Sequence, residues 1–484
     1  MQTSWNIYHA FLAQVRARPD FPAMLFPGLT FSYEKLNRLV MAFSKKMIDL
    51  RVDSNSTIMV QSSDPLIVVA SLLASSQIGS SFVQDDEGLI LPSELIVTHH
   101  FHTVEPERTP AKDSFLINEN WSPATNLQHE GISDPMIAAN VDQPWLYVYT
   151  SGTTGLPKFL ALTQRMVFER SMAVADEFVS GKTRIASLMP FNSRTFIARA
   201  LAALVNGATI VDGKDLDFWK HAGVTMVTGS VSQMNGFFRT KTLDERIPLA
   251  EVIGSRLSKS DTRELLKHFM KVQDVFGASE ANKVFANVNI LGHDDAVVTT
   301  GLKRDSTIEL VDIDGLPVAS GANGILRIRN PYIASGYIGD AKASSDAFRN
   351  GWFYPGDIAA WGDNDTLLIL DRVDNILNIG GVKINAFIVD HILKSVAGIT
   401  DAICFKSPKK DAPDQLFAFV VFEESCNQFQ VTEIARQQCR VKLGEAFEPR
   451  VIRGVAGIPR NESGQPNRKA CADLILELGQ RKSS

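Results

Sequence analysis

The chain has 484 residues, 45% hydrophobic and 21% charged, a balance that excludes wholesale disorder and suffices for two or three folding units. A formal net charge of -5, with Lys and Arg scattered along the chain, excludes the basic stripe that a nucleic-acid partner requires. The most apolar stretch, PLIVVASLLASSQIG from Pro65, falls short of the about 20 apolar residues of a bilayer span. The N-terminal residues lack a signal-peptide pattern, so we expect a cytoplasmic protein with no membrane span. Cys404, Cys426, Cys439 and Cys471 all lie in the last quarter without a close pair, which reads as buried thiols rather than a disulfide frame or zinc site.

In chain order, LTFSYEKLNRLVMAFSKKMIDL has apolar residues at helical spacing, STIMVQS reads as a short strand, and PLIVVASLLASSQIG reads as a buried helix. PWLYVYT, ending at Thr150, is a strand, followed by the loop SGTTGLPK and a helix over TQRMVFERSMAVADEF. ATIVDG, VTMVTGS and KVQDVFGASE continue the alternation of strand and helix, which argues for a parallel α/β sheet. STIELVDIDGLPVASGANGILRIRN then changes character: strands separated by DIDG and SGANG turns, as in hairpins or a small barrel. Beyond DRVDNILNIGGVKIN, a helix carrying Ile384, Phe387, Ile388, His391 and Ile392, the strands DAICF and LFAFVVFE, the amphipathic TEIARQQCRVKL and a last RVIRGV suffice for a small α+β domain. The expected class is α/β: a large N-terminal α/β domain with a β-rich subdomain (residues 1–373) and a small α+β C-terminal domain (374–484).

The loop after Thr150 concentrates Ser151, Gly152, Thr153, Thr154 and Gly155 ahead of Lys158. Glycines let backbone N–H groups approach an anion, hydroxyls add donors, and the lysine supplies positive charge, so the loop suits a polyphosphate. The spacing is not GxxxxGK[ST], because Leu156 and Pro157 separate Gly155 from Lys158, which excludes a simple P-loop NTPase.

This string resembles the phosphate loop of the adenylate-forming superfamily, which includes acyl-CoA synthetases, peptide-synthetase adenylation domains and luciferases; Phe159 stands where that pattern ends in glycine. Further segments fit in order. VFGASEAN resembles the family's aromatic-Gly-x-Thr-Glu motif, which implies Phe276 on the adenine beside Gly277, Ser279 at the α-phosphate, and Glu280, with Thr154, at Mg2+. NGWFYPGDIAAWGDNDTLLILDRVDN resembles the segment whose Asp and Arg, here Asp357 and Arg372, grip the ribose hydroxyls. Asp374 falls at the family's hinge, about which the small domain rotates between half-reactions. NIGGVKIN resembles the thioester loop, where Gly380, Gly381 and Lys383 would face a pantetheine arm. GILRIRNPYIASGY and FSYEKLNRLV fit as well, so the resemblance spans nearly the whole chain.

The resemblance implies ATP-dependent activation of a small carboxylic acid as acyl-AMP, with release of pyrophosphate, then transfer to a thiol. The acceptor is CoA or the phosphopantetheine of a carrier protein acting in trans; Phe191, Asn192 and Asn282 would line the acyl pocket. It also implies a cleft beside the small domain on which Thr150–Lys158, Glu280 and Asp357 converge. The family's last signature ends in Ser-Gly-Lys, its lysine bridging acid and nucleotide, but this chain has Gln465 at that position in IPRNESGQPNRKA. A neutral amide cannot offset charge repulsion there, and losing one such donor costs roughly 2.7–4 kcal/mol in the transition state. Lys469 is one helical turn on if the segment is helical. Asn192 stands where a histidine is usual, and Ile388 replaces the first of two usual acids while Asp390 keeps an acid near the second. The alternative is an adenylation-impaired relative that binds nucleotide or acyl-adenylate, or runs only the transfer step.

Overall fold

The computed structural model describes all but residues 1–4, 87–88, 107–110, 122–139, 151–156, 255–256, 313, 374–375, 380–381, 407–414, 461–466 and 481–484. Two units emerge: residues 1–355 with 360–368, and residues 356–359 with 369–484. Among the described residues no helix is long and apolar enough to cross a membrane.

The first unit contains two large sheets. One orders its six strands Asp113–Leu116, His99–His102, Thr57–Gln61, Ser81–Gln84, Pro144–Thr150 and Lys158–Thr163; all neighbours are parallel except the last pair. The strand Lys158–Thr163, absent from the sequence reading, turns back antiparallel to Pro144–Thr150, with Thr150 opposite Lys158; the helix that follows runs from Gln164 to Met172. The second sheet has nine strands, with Arg184–Ser187, Thr209–Val211, Met226–Gly229, Ile247–Ile253 and Phe269–Ala278 forming its parallel centre. Phe269–Ala278 and Asn282–Leu291 then form a long antiparallel hairpin.

The stretch from Pro65 to Ile78 is the buried helix expected. Asp64 caps it by accepting from the Leu66 N–H at 2.8 Å, Pro65 sits in the first turn where its missing N–H is harmless, and Gly79 ends it with φ +87°. Two of its buried serines have partners: Ser75 Oγ accepts from Trp145 Nε1 at 3.1 Å, and Ser76 Oγ donates to Gln164 Oε1 at 2.6 Å. Thr307–Val311 and Gly324–Arg329 pair antiparallel, as the turn-rich sequence suggested.

The second unit has its own apolar core, in which Ile384, Val389, Leu393, Ala418 and Val420 are buried. A helix over Ala386–Lys394 packs on a three-stranded sheet of Ile399–Lys406, Leu416–Phe422 and Val451–Gly454. Ile384 lies in the preceding strand, Val382–Asn385, and a terminal helix, Arg468–Gln480, completes the unit.

Candidate functional site

Ser151, Gly152, Thr153, Thr154 and Gly155 lie outside the described residues, as do Asp374, Gly380, Gly381 and Gln465. What the first unit shows is the frame around the phosphate loop. Strand alternation sends Lys158 and Phe159 to opposite faces. Phe159 is 1% exposed, packed with Met59, Val83, Leu95 and Val97, so the departure from glycine fills a core.

Lys158 Nζ stands over the ring of Tyr337, 5.1 Å from its centroid. The Tyr337 hydroxyl donates to Glu280 Oε1 at 2.7 Å. Glu280 is buried, and beside it the Ser279 hydroxyl is a buried oxygen with no hydrogen-bond partner among the described residues. Buried hydroxyls are seldom left unpaired, so Ser279 is the group here most ready for an acceptor such as a phosphate oxygen. Phe276 lies on the same hairpin, half-buried, opposite Phe285. A Cβ on Gly277 would sit 2.6 Å from the Asn282 carbonyl oxygen, so the motif's glycine lets the two strands close at the turn.

The turn is held from behind by Arg170. Its guanidinium donates to the carbonyls of Ser279 at 2.8 Å, Glu280 at 2.9 Å and Tyr332 at 2.9 Å. Burial pushes its pKa down to about 10, against the attraction of Glu280. Asn282, in the left-handed region with φ +63°, donates from Nδ2 to the Arg170 carbonyl at 3.1 Å, so it serves the turn. The next residue, Lys283, is buried and bonded to Glu177 at 2.5 Å, Glu251 at 2.8 Å and Gln273 at 2.7 Å. Burial opposes charge on Glu251, yet Arg199 and Lys283 hold its carboxyl below the ordinary range.

Of the other expected pocket residues, Phe191 packs edge-on against Phe196 at 5.0 Å. Asn192 Nδ2 donates to Asp86 Oδ1 at 2.9 Å, and Asp86 Oδ2 accepts from the Tyr149 hydroxyl at 2.7 Å; burial and Asp86 push the Tyr149 pKa up.

In the second unit, Arg372 Nη1 donates to Asp357 Oδ1 at 3.2 Å. Gly356, with φ +82°, makes room: a Cβ there would lie 2.8 Å from Arg372 Nη2. Lys383 lies in the strand Val382–Asn385. Asp390 points into that unit, accepting from the Cys404 N–H at 2.5 Å and from Arg468 at 2.6 Å. Lys469 is exposed, the second residue of a helix that begins only at Arg468, so helical spacing does not relate it to Gln465.

Among the described residues no three His, Cys, Asp or Glu side chains could hold a metal together. A single carboxylate with room for phosphate and water oxygens suits Mg2+. Glu280 and the unpartnered Ser279 hydroxyl fit a magnesium–phosphate group.

A family model described as AMP-binding enzyme matches residues 91–338. A probable CoA ligase of Humulus lupulus is 23% identical over 351 residues, covering 68% of this chain and 66% of that protein. A 2-succinylbenzoate–CoA ligase of Bacillus velezensis is 22% identical over 499 residues, covering 98% of each. The O-succinylbenzoate coenzyme A synthetase of Bacillus subtilis, solved in complex with AMP, superposes with a TM-score of 0.73 at 16% identity, covering 95% of this chain and 97% of that one. At that identity the superposition establishes the fold: mixed α/β, a large N-terminal domain and a smaller C-terminal one.

Proposed function

The chain belongs to the AMP-binding enzymes, the adenylate-forming superfamily, and we propose that it joins a small carboxylic acid to a thiol at the expense of ATP. A carboxylate oxygen of the acid attacks the α-phosphorus, pyrophosphate leaves, and the acyl-AMP passes its acyl group to the sulfur of CoA or of a carrier protein's phosphopantetheine, releasing AMP. The observation that carries this is the meeting of Lys158, Tyr337 and Glu280 beside the unpartnered hydroxyl of Ser279.

In this reading Lys158 and the hydroxyl loop Thr150–Gly155 offset charge on the departing pyrophosphate, and Ser279 donates to the α-phosphate. Phe276 and Gly277 border the adenine; Asp357 and Arg372 take the ribose hydroxyls. Mg2+, held by Glu280 with Thr154, would neutralise charge on the phosphate oxygens. Phe191 and Asn192 border the acid. Gly380, Gly381 and Lys383 receive the acceptor after the C-terminal domain, residues 374–484, turns about Asp374. A cytoplasmic protein with no membrane or nucleic-acid partner accords with this reading.

ATP–pyrophosphate exchange over a panel of aryl and short-chain carboxylic acids tests it. We expect exchange with at least one acid, and a rise of about a hundredfold or more when Gln465→Lys restores a cation. No exchange by either form with any acid would sink the proposal. Gln465 favours a second reading, a protein that binds acyl-adenylate or runs only the transfer step; its mark would be binding of a supplied acyl-adenylate, or its transfer to a thiol with release of AMP, without exchange.

A further inference from the structure

Tyr337 touches both charged groups on which the proposed chemistry depends, and it separates them. Its ring face receives the Lys158 ammonium at 5.1 Å, and its hydroxyl donates to Glu280 Oε1 at 2.7 Å. Among the described residues no carboxylate lies within salt-bridge distance of Lys158; Asp346, whose carboxyl feels Lys158, is itself bound to Lys342 at 2.8 Å.

The ring is held firmly. The Tyr337 N–H donates to Ser344 Oγ at 2.8 Å, that hydroxyl donates back to the Tyr337 carbonyl at 3.2 Å, and Phe348 packs edge-on against the ring at 5.5 Å. The next N–H, of Ile338, donates to the Phe159 carbonyl at 2.8 Å, fixing the segment against the strand that carries Lys158.

We propose that Tyr337 is a spacer that keeps Lys158 and Glu280 from neutralising each other, so that both are free for a magnesium–polyphosphate. This rests on the reading of Lys158 as a phosphate group's partner and Glu280 as the metal's. A lysine and a buried carboxylate that touch the same side chain attract each other, and a low local dielectric strengthens the pair. A direct pair would be undone each time ligand binds, weakening binding by the same factor. The aromatic face satisfies the ammonium by cation–π attraction alone, which leaves its three N–H donors available. The hydroxyl occupies one carboxylate oxygen and fixes the rotamer, which leaves Oε2 for a cation.

Two measurements test the spacer. The first is a double-mutant cycle on the ligand-free protein, with Lys158→Met and Glu280→Gln, read as the urea unfolding midpoint. In the native protein and in Tyr337→Phe, which keeps the ring, the two changes should be additive. In Tyr337→Leu, or Tyr337→Met should Leu fold poorly, they should be coupled. Additivity in the Leu and Met backgrounds overturns the spacer whatever the protein binds.

The second is calorimetry with ATP and Mg2+. Tyr337→Phe should weaken binding about two- to threefold and raise the Mg2+ needed for half-saturation, whereas Tyr337→Leu should weaken it at least about fivefold. A native protein that binds ATP, with both variants equal to it, overturns the spacer and leaves the proposed function standing. A native protein that binds no ATP overturns the proposed function and the spacer's purpose together.

Discussion

Arg170 is the residue whose role is least visible in the chain and most decisive in the fold. Nothing in TQRMVFERSM sets it apart, yet its guanidinium is buried and donates to three carbonyls more than a hundred residues away. Buried carbonyls that lose their donors bear the full desolvation penalty. We therefore expect Arg170→Met to lower stability by about 2–4 kcal/mol, read from the urea midpoint. Because one ammonium cannot span carbonyls that a planar fork reaches together, Arg170→Lys should recover less than half of that loss. Full recovery by lysine would mean that charge, and not the fork, is what the turn requires.

At the scale of elements, the hairpin of Phe269–Ala278 and Asn282–Leu291 carries Ser279 and Glu280 at its turn and is anchored by Lys283 on its return strand. Lys283 joins Glu177 and Glu251, with Arg199 bonded to Glu251 at 2.9 Å and Arg304 to Asp176 at 2.8 Å. Removing one partner of such a cluster strands a buried charge. Lys283→Met should cost about 3–5 kcal/mol in urea unfolding, and Lys283→Met with Glu251→Gln less than Lys283→Met alone; equal losses would mean the cations left behind already satisfy Glu251. The family's letters in SGTTGLPK and VFGASEAN were legible because they are local: each needs only its neighbours to suggest a resemblance, which the family match over residues 91–338 bears out. The alternation of strand and helix gave the sheets for the same reason. Tyr337, Arg170 and Lys283 were not legible, because each acts on groups brought near by tertiary folding, and none stands out in its own segment. Phe159 looked like a broken motif until the strand Lys158–Thr163 showed that its alternation buries it.

For the molecule as a whole, burial of neutral histidines in the first unit sets how stability responds to mild acid. His102 is held below its ordinary value of 6.5 by burial, with repulsion from His100 adding and attraction to Glu105 opposing. His268 is lowered by burial too, with Lys267 adding and Glu264 opposing. A group whose folded pKa is depressed binds its proton more readily in the unfolded chain. Its contribution is therefore complete above 6.5 and lost as pH falls from 6.5 to the depressed value. Glu169, Asp212 and Asp390 act the other way, because burial raises their carboxyls and the folded chain takes up those protons first. Their ordinary values are 4.5 for Glu169 and 3.8 for the two aspartates, and burial lifts all three from there, so they oppose the histidines as the solution is acidified. Over the window from about pH 7 down through 6.5 we expect each histidine's contribution to fall with pH by at most about 1.4 kcal/mol per unit. The double variant His102→Asn with His268→Asn removes both titrating groups and should flatten the urea midpoint across that window, while the native midpoint drops. A native midpoint that holds steady there, or a variant that keeps the native slope, would place the proton uptake on other groups.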